Sequence, residues 1–159
     1  MDVDGVLTDG TIYIDAGGRE IKAFHALDGA GIKYLHRAGL KSAVISGRSS
    51  DAVAIRMKEL GVEEVHQKAH DKIEAYESIR ERQELSDEEV AFIADDLTDI
   101  PLMRRIGFPI AVANAHEEVK NVADYVTVTP GGHGAVREVI EKMLKAQDKW
   151  AAVVKRYGI

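Results

Sequence analysis

Two carboxylates lie two residues apart near the start of the chain, in Asp2-Val3-Asp4-Gly5-Val6-Leu7-Thr8-Asp9-Gly10. In extended backbone, such residues point the same way. One can attack phosphorus while the other handles protons at the leaving oxygen. An aspartate with an ordinary pKa near ~3.9 is ionised at neutral pH, so Asp2 is a candidate nucleophile. A carboxylate approaching a phosphate dianion meets charge repulsion, and a divalent cation must neutralise the site. Asp95 and Asp96 follow an apolar run and offer the hard oxygen ligands that Mg2+ prefers. Taken alone, Asp-x-Asp-Gly is equally consistent with a solvated turn.

Two further signals accompany the aspartates. Ser46 and Gly47 follow the apolar run Leu40–Ile45. A hydroxyl and backbone N–H groups at a strand-to-helix turn make a phosphate cradle. Lys72 opens a helical period after a short strand, where it would offset negative charge on a phosphate and on Asp2. In isolation, Ser46 reads as part of a capping loop and Lys72 as a solvated lysine.

These residues need a scaffold that brings them together, and the pattern supplies one. Thr11–Ile14 and Glu20–Phe24 are β-prone and flank Asp15-Ala16-Gly17-Gly18, which predicts a hairpin. Asp28 is placed to cap a helix over Gly29–Arg37, ended by Gly39. Strand Leu40–Ile45 leads to a helix capped by Ser49 or Ser50, which runs up to Gly61. Strand Val62–His66 precedes a helix over His70–Glu84, and strand Val90–Ala94 ends at Asp95-Asp96. Pro101 fits the first turn of a helix through Arg105. Pro109–Ala113 and Tyr125–Val128 read as strands, and one helix spans about Gly134 to Arg156. Such alternation argues for a Rossmann-like parallel sheet flanked by helices, in a single α/β domain over residues 1–159. Ligands of such sheets bind at the carboxyl ends of the strands, where Asp2/Asp4, Ser46 and Asp95/Asp96 would converge.

Composition narrows the function classes. The formal net charge is −6, which disfavours nucleic acid and anionic membrane as partners. No apolar run is long enough to span a bilayer, and the N-terminus lacks the basic and apolar regions of a signal peptide. With no cysteine there is neither disulfide nor thiolate metal site, which suits a cytoplasmic location. The six histidines show no metal-ligand spacing; His25, beside the hairpin, and His133, in a glycine loop, are within reach of a substrate. Trp150 reads as a packing residue. Gly131-Gly132-x-Gly134 follows a strand but lacks the acidic partner of a dinucleotide site.

The four segments Asp2–Gly10, Ser46-Gly47-Arg48, Lys72 and Asp95-Asp96-Leu97-Thr98-Asp99 resemble the motifs of the haloacid dehalogenase superfamily. Within it the chain resembles the 3-deoxy-D-manno-octulosonate 8-phosphate phosphatase family over nearly its whole length. The match includes Phe24-x-x-x-Asp28-Gly29-x-Gly31-Ile32; more specific features are Ser46-Gly47-Arg48-x-Ser50 with Arg56, and Gly131-Gly132-His133-Gly134-Ala135-Val136-Arg137-Glu138. The resemblance implies a Mg2+-dependent phosphatase for a small phosphorylated sugar acid, acting through an aspartyl-phosphate. It makes Asp2 the nucleophile and Asp4 the general acid/base, with Lys72 assisting. Asp2, Asp95 and the Asp4 backbone carbonyl would hold the metal, with Asp96 and Asp99 supporting that shell. Ser46, Gly47 and Lys72 would hold the phosphoryl group, and Arg48 or Arg56 the substrate carboxylate. It further implies no large cap domain and a homotetramer in which the projecting hairpin, about residues 11–24, helps close a neighbour's site.

The chain departs from the family pattern in three places. An apolar strand ordinarily leads into the nucleophile, whereas only Met1 precedes Asp2, so that central strand lies outside this sequence or is missing. Ala94 and Lys68 stand where glycines are common. Two other readings compete: a phosphatase for a nine-carbon sialic-type acid phosphate, and a non-catalytic oligomerisation module. Arg48 favours the eight-carbon substrate over the nine-carbon one by resemblance. Intact Asp2, Asp4, Lys72 and Asp95 speak against the module.

Overall fold

A computed structural model describes residues 1–159. Its β-strands are β1 (Tyr13–Ile14), β2 (Glu20–Ile21), β3 (Ala43–Ile45), β4 (Glu64–His66), β5 (Ala91–Ala94), β6 (Phe108–Ala111) and β7 (Tyr125–Val126). The helices are α1 (Ala26–Arg37), α2 (Asp51–Leu60), α3 (Lys72–Gln83), α4 (Ile100–Met103), α5 (Glu117–Asn121), α6 (Ala135–Ala146) and α7 (Trp150–Lys155). Strands β3 and β4 pair in parallel, as do β5, β6 and β7 in that order. The strand–helix alternation is therefore the βαβ pattern expected, with each strand shorter than its β-prone run.

What joins the two sets of strands is the backbone of Met1 and Asp2. The Met1 nitrogen donates to Ala43 O at 3.0 Å. Ile45 N donates to Met1 O at 3.1 Å, and Asp2 N donates to Ile93 O at 3.0 Å. The central position is thus not left open; two residues bridge β3 and β5. Immediately beyond, Leu7 N and Thr8 N both turn back to Val3 O, at 2.9 and 3.0 Å. Val3, Val6 and Leu7 are buried in a core that reaches from Val3 to Val153. The position of Asp2 and the core are consequently fixed by the same short segment.

The hairpin forms where expected, with β1 and β2 antiparallel. Asp15 builds its turn, its Oδ1 accepting from Gly17 N and Arg19 N, both at 2.9 Å. Ile12, Tyr13, Ile14 and Ile21 remain exposed.

Three local expectations are corrected. Asp28 is not a cap for α1, which starts at Ala26 with His25 in the cap position. It is buried and caps another helix instead, its Oδ1 accepting from Arg137 N in the first turn of α6 at 2.8 Å. Gly31 permits that approach, since a Cβ there would lie 3.2 Å from Arg137 Cα. Ser50 holds the cap position of α2, but its side chain makes no cap bond. The single C-terminal helix is two, α6 and α7, broken where Asp148 adopts φ 57°, a left-handed conformation that aspartate tolerates.

Candidate functional site

The expected residues meet at the carboxyl ends of the strands. A cavity of about 280 Å³ is walled by Asp2, Asp4, Asp95 and Asp96 on one part and by Ser46, Gly47, Arg48 and Lys72 on another. Residues up to about ninety positions apart come together because β3, the Met1–Asp2 segment and β5 lie side by side.

Lys72 organises the acidic part. It is the first residue of α3, where the helix dipole disfavours a cation. Asp71 caps that helix, its Oδ1 accepting from Ile73 N at 2.8 Å, and so directs Lys72 inward. The Lys72 ammonium lies 2.7 Å from Asp2 Oδ1 and also bonds Asp99 Oδ1. Burial by itself would lower its pKa; the two carboxylates outweigh that and raise it. Burial pushes the Asp2 carboxyl above its ordinary value, and Lys72 offsets part of the rise.

Asp99 is fully committed. Its second oxygen accepts from Asp95 N at 3.3 Å and Asp96 N at 3.4 Å, which pins the loop carrying those aspartates. Gly5 closes the site from the other side. It has φ 100°, and a Cβ there would lie 2.0 Å from Asp95 Oδ2.

This leaves too much negative charge for the cations present. Carboxylate oxygens of Asp2, Asp95 and Asp99 lie within 4.8 Å of one another. Asp95 Oδ1 and Asp4 Oδ2 are buried with no hydrogen-bond partner. Burial, then the charges of Asp2, Asp99 and Asp96, push the Asp95 carboxyl up to about 8. Orphaned oxygens and an all-oxygen donor set fit a hard divalent cation held by Asp2 and Asp95, with Asp99 orienting the loop.

On the other part of the cavity, Ser46 is buried and its Oγ accepts from Arg48 N at 3.3 Å. Lys68 N donates to Arg48 O at 3.1 Å, which ties the β4–α3 loop to this turn. Lys68 has φ 58°, the left-handed conformation that explains why glycine is common there. Arg56 lies elsewhere. It pairs with Glu59 at 2.7 Å and packs against Gly29, and it does not line the cavity. Neither His25 nor His133 lines it; His133 Nδ1 bonds Gly131 O at 2.8 Å.

The hairpin supplies what the sequence did not flag. Lys22 bonds Asp4 Oδ1, and Glu20 Oε2 accepts from Arg48 Nη2 at 2.8 Å. These contacts come from the chain's own hairpin, 18 and 28 residues away along the sequence. His70 and Thr98 also line the cavity.

A family model for haloacid dehalogenase-like hydrolases matches residues 55–140. The 3-deoxy-D-manno-octulosonate 8-phosphate phosphatase of Escherichia coli K12 is 42% identical over 149 residues, 94% of this chain and 79% of that protein. The chain belongs to this phosphatase family. The Yersinia pestis member is 43% identical over 148 residues, 93% of this chain and 79% of that protein. Among solved structures of the family, that from Moraxella catarrhalis contains a magnesium ion, a phosphate ion and a KDO molecule. It superposes with a TM-score of 0.96 at 42% identity, covering 99% of this chain and 90% of that one.

The Asp95 shift has a consequence for stability. Its folded pKa lies above the ordinary ~3.9 of an unfolded chain, so between those values the folded state holds a proton that the unfolded state lacks. Stability from this group is therefore lost as pH rises towards 8. A divalent cation binds the deprotonated form and reverses the loss. Thermal unfolding with and without Mg2+ should show a larger Mg2+-induced rise in Tm at pH 8 than at pH 5. An equal or larger rise at pH 5 would contradict the assignment.

Proposed function

We propose that the chain is a Mg2+-dependent phosphatase that hydrolyses 3-deoxy-D-manno-octulosonate 8-phosphate to the free sugar acid and phosphate. The observation that carries this reading is the pair Asp2 and Asp95 lining the cavity, with an unpartnered oxygen on Asp95 and another on Asp4. The family's magnesium, phosphate and KDO complex supports it.

Asp2 attacks phosphorus from the position fixed by its own N–H bond to β5. As the Asp2 oxygen–phosphorus bond forms, the ester bond breaks, and the sugar oxygen leaves with the electron pair and takes a proton from Asp4. Water then attacks the aspartyl-phosphate, gives a proton to Asp4, and releases phosphate and the Asp2 carboxylate. Lys72, Ser46 and Gly47 hold the phosphoryl oxygens and stabilise charge in transit. Mg2+, held by Asp2, Asp95 and the Asp4 carbonyl, would lower the repulsion between nucleophile and phosphate. Asp96 and Asp99 support its ligands. Arg48, on the cavity wall, is the better placed of the two arginines to meet the substrate carboxylate.

Phosphate release with Mg2+ tests the reading. The eight-carbon ester should be turned over with a higher kcat/KM than a nine-carbon sialic-type 9-phosphate. Asp2→Asn should lower kcat by at least about a thousandfold. Near-normal activity of that variant, or no release by the wild type, would refute it. A non-catalytic module would give no release at all.

The same reading places the protein in the cytoplasm as a homotetramer. The exposed Ile12, Ile14 and Ile21 support hairpin-mediated assembly, since a two-stranded ribbon is marginal in water and its apolar face needs cover. Light scattering should give the mass of four chains; a monomer with full selectivity for the sugar acid would overturn this part.

A further inference from the structure

A second charge cluster borders the cavity on the hairpin side, and the chemistry above makes no use of two of its members, Lys22 and Glu20. Lys22 lies just after β2, and its side chain is only 3% exposed. Its ammonium bonds both Asp4 Oδ1 and the Glu20 carboxylate. The other Glu20 oxygen accepts from Arg48 Nη2 at 2.8 Å, and Arg48 Nε returns to within 3.9 Å of Asp4 Oδ2. Two acids and two bases thus close a ring across the Asp2–Gly10 segment, the hairpin and the turn after β3.

Burying a lysine is costly, through desolvation and lost rotamer freedom. Anchoring the hairpin alone would not require it, because apolar contacts anchor at lower cost. What the ring does is treat the two oxygens of Asp4 differently. Oδ1 is tied to Lys22, whereas Oδ2 is buried, has no hydrogen-bond partner and belongs to a residue that lines the cavity. Glu20 offsets part of the positive charge that Lys22 and Arg48 bring beside Asp4.

We infer that Lys22 is a positioning residue that fixes the Asp4 rotamer, so that Oδ2 exchanges the proton with the leaving alcohol. This rests on the proposed function. In the first half-reaction the ester oxygen leaves with its electron pair and takes the proton from Asp4 Oδ2. In the second, Oδ2 takes a proton from the attacking water as the phosphorus–Asp2 bond breaks. The hairpin then serves its own chain's site, through Glu20 and Lys22.

Leaving-group dependence tests it, because a nitrophenolate departs without a proton and an alkoxide does not. Lys22→Met should slow first-turnover phosphoryl transfer from the sugar-acid 8-phosphate on the order of ten- to a hundredfold. The first-turnover burst of nitrophenolate from p-nitrophenyl phosphate, which precedes the Asp4-dependent hydrolysis of the phosphoenzyme, should slow by less than about threefold. Lys22→Arg should recover part of the alkyl-ester rate. Glu20→Gln, which keeps the lysine but opens the ring, should show the same split at smaller size, and carries the test if Lys22→Met does not fold. Equal losses on the two esters, or no loss on either, would overturn the inference. Absence of wild-type turnover would be a different result and would strike the proposed function instead.

Discussion

Lys72 is buried between Asp2 and Asp99, and the geometry of the site follows from keeping that ammonium paired. Removing one partner from a buried ion pair costs roughly 3–5 kcal/mol, because a charge is left without water or counterion. The local features each serve this contact. Asp71 starts α3 so that Lys72 points inward. Two backbone hydrogen bonds fix Asp99 beneath the loop of Asp95 and Asp96. Asp2 is held by backbone pairing between β3 and β5.

One cation cannot balance the acids around it. The remainder of the negative charge appears as unpartnered oxygens on Asp95 and Asp4 and as the raised Asp95 pKa. A site that is electrostatically incomplete at neutral pH is one built around a cation from solution, and the family's magnesium-containing structure agrees with that reading. The Lys22–Glu20–Arg48 group, by contrast, is balanced against Asp4 within the chain. The cavity therefore has one wall whose acids outnumber the nearby cations and another whose charges are compensated within the chain.

Much of this was legible in the sequence. The order of strands and helices followed from runs of β-branched residues between helical periods, and the convergence of Asp2, Ser46, Lys72 and Asp95 followed from their places after strands. Features set by tertiary contact were not legible. The Asp28 carboxylate looked like a local cap but serves α6, more than a hundred residues on. Arg56 matched a family run yet turns towards Gly29 and Glu59, because α2 presents that position to α1. The C-terminal break at Asp148 lacks the glycine or proline that ordinarily marks one, and short α5 carries too few residues for a period to show. Lys22 resembled any polar residue of a hairpin; only the fold brings it to Asp4. The bridging role of Met1 and Asp2 was likewise invisible, since two residues carry no pattern.

The most direct test of the account is chemical trapping of the nucleophile. Asp4→Asn can still be phosphorylated by p-nitrophenyl phosphate, whose leaving group needs no proton, but lacks the base for the second step. Rapid acid quench of that variant with Mg2+, followed by peptide mass spectrometry, should find one phosphoryl group on Asp2. A label on another residue, or none on the enzyme while turnover continues, would contradict the account.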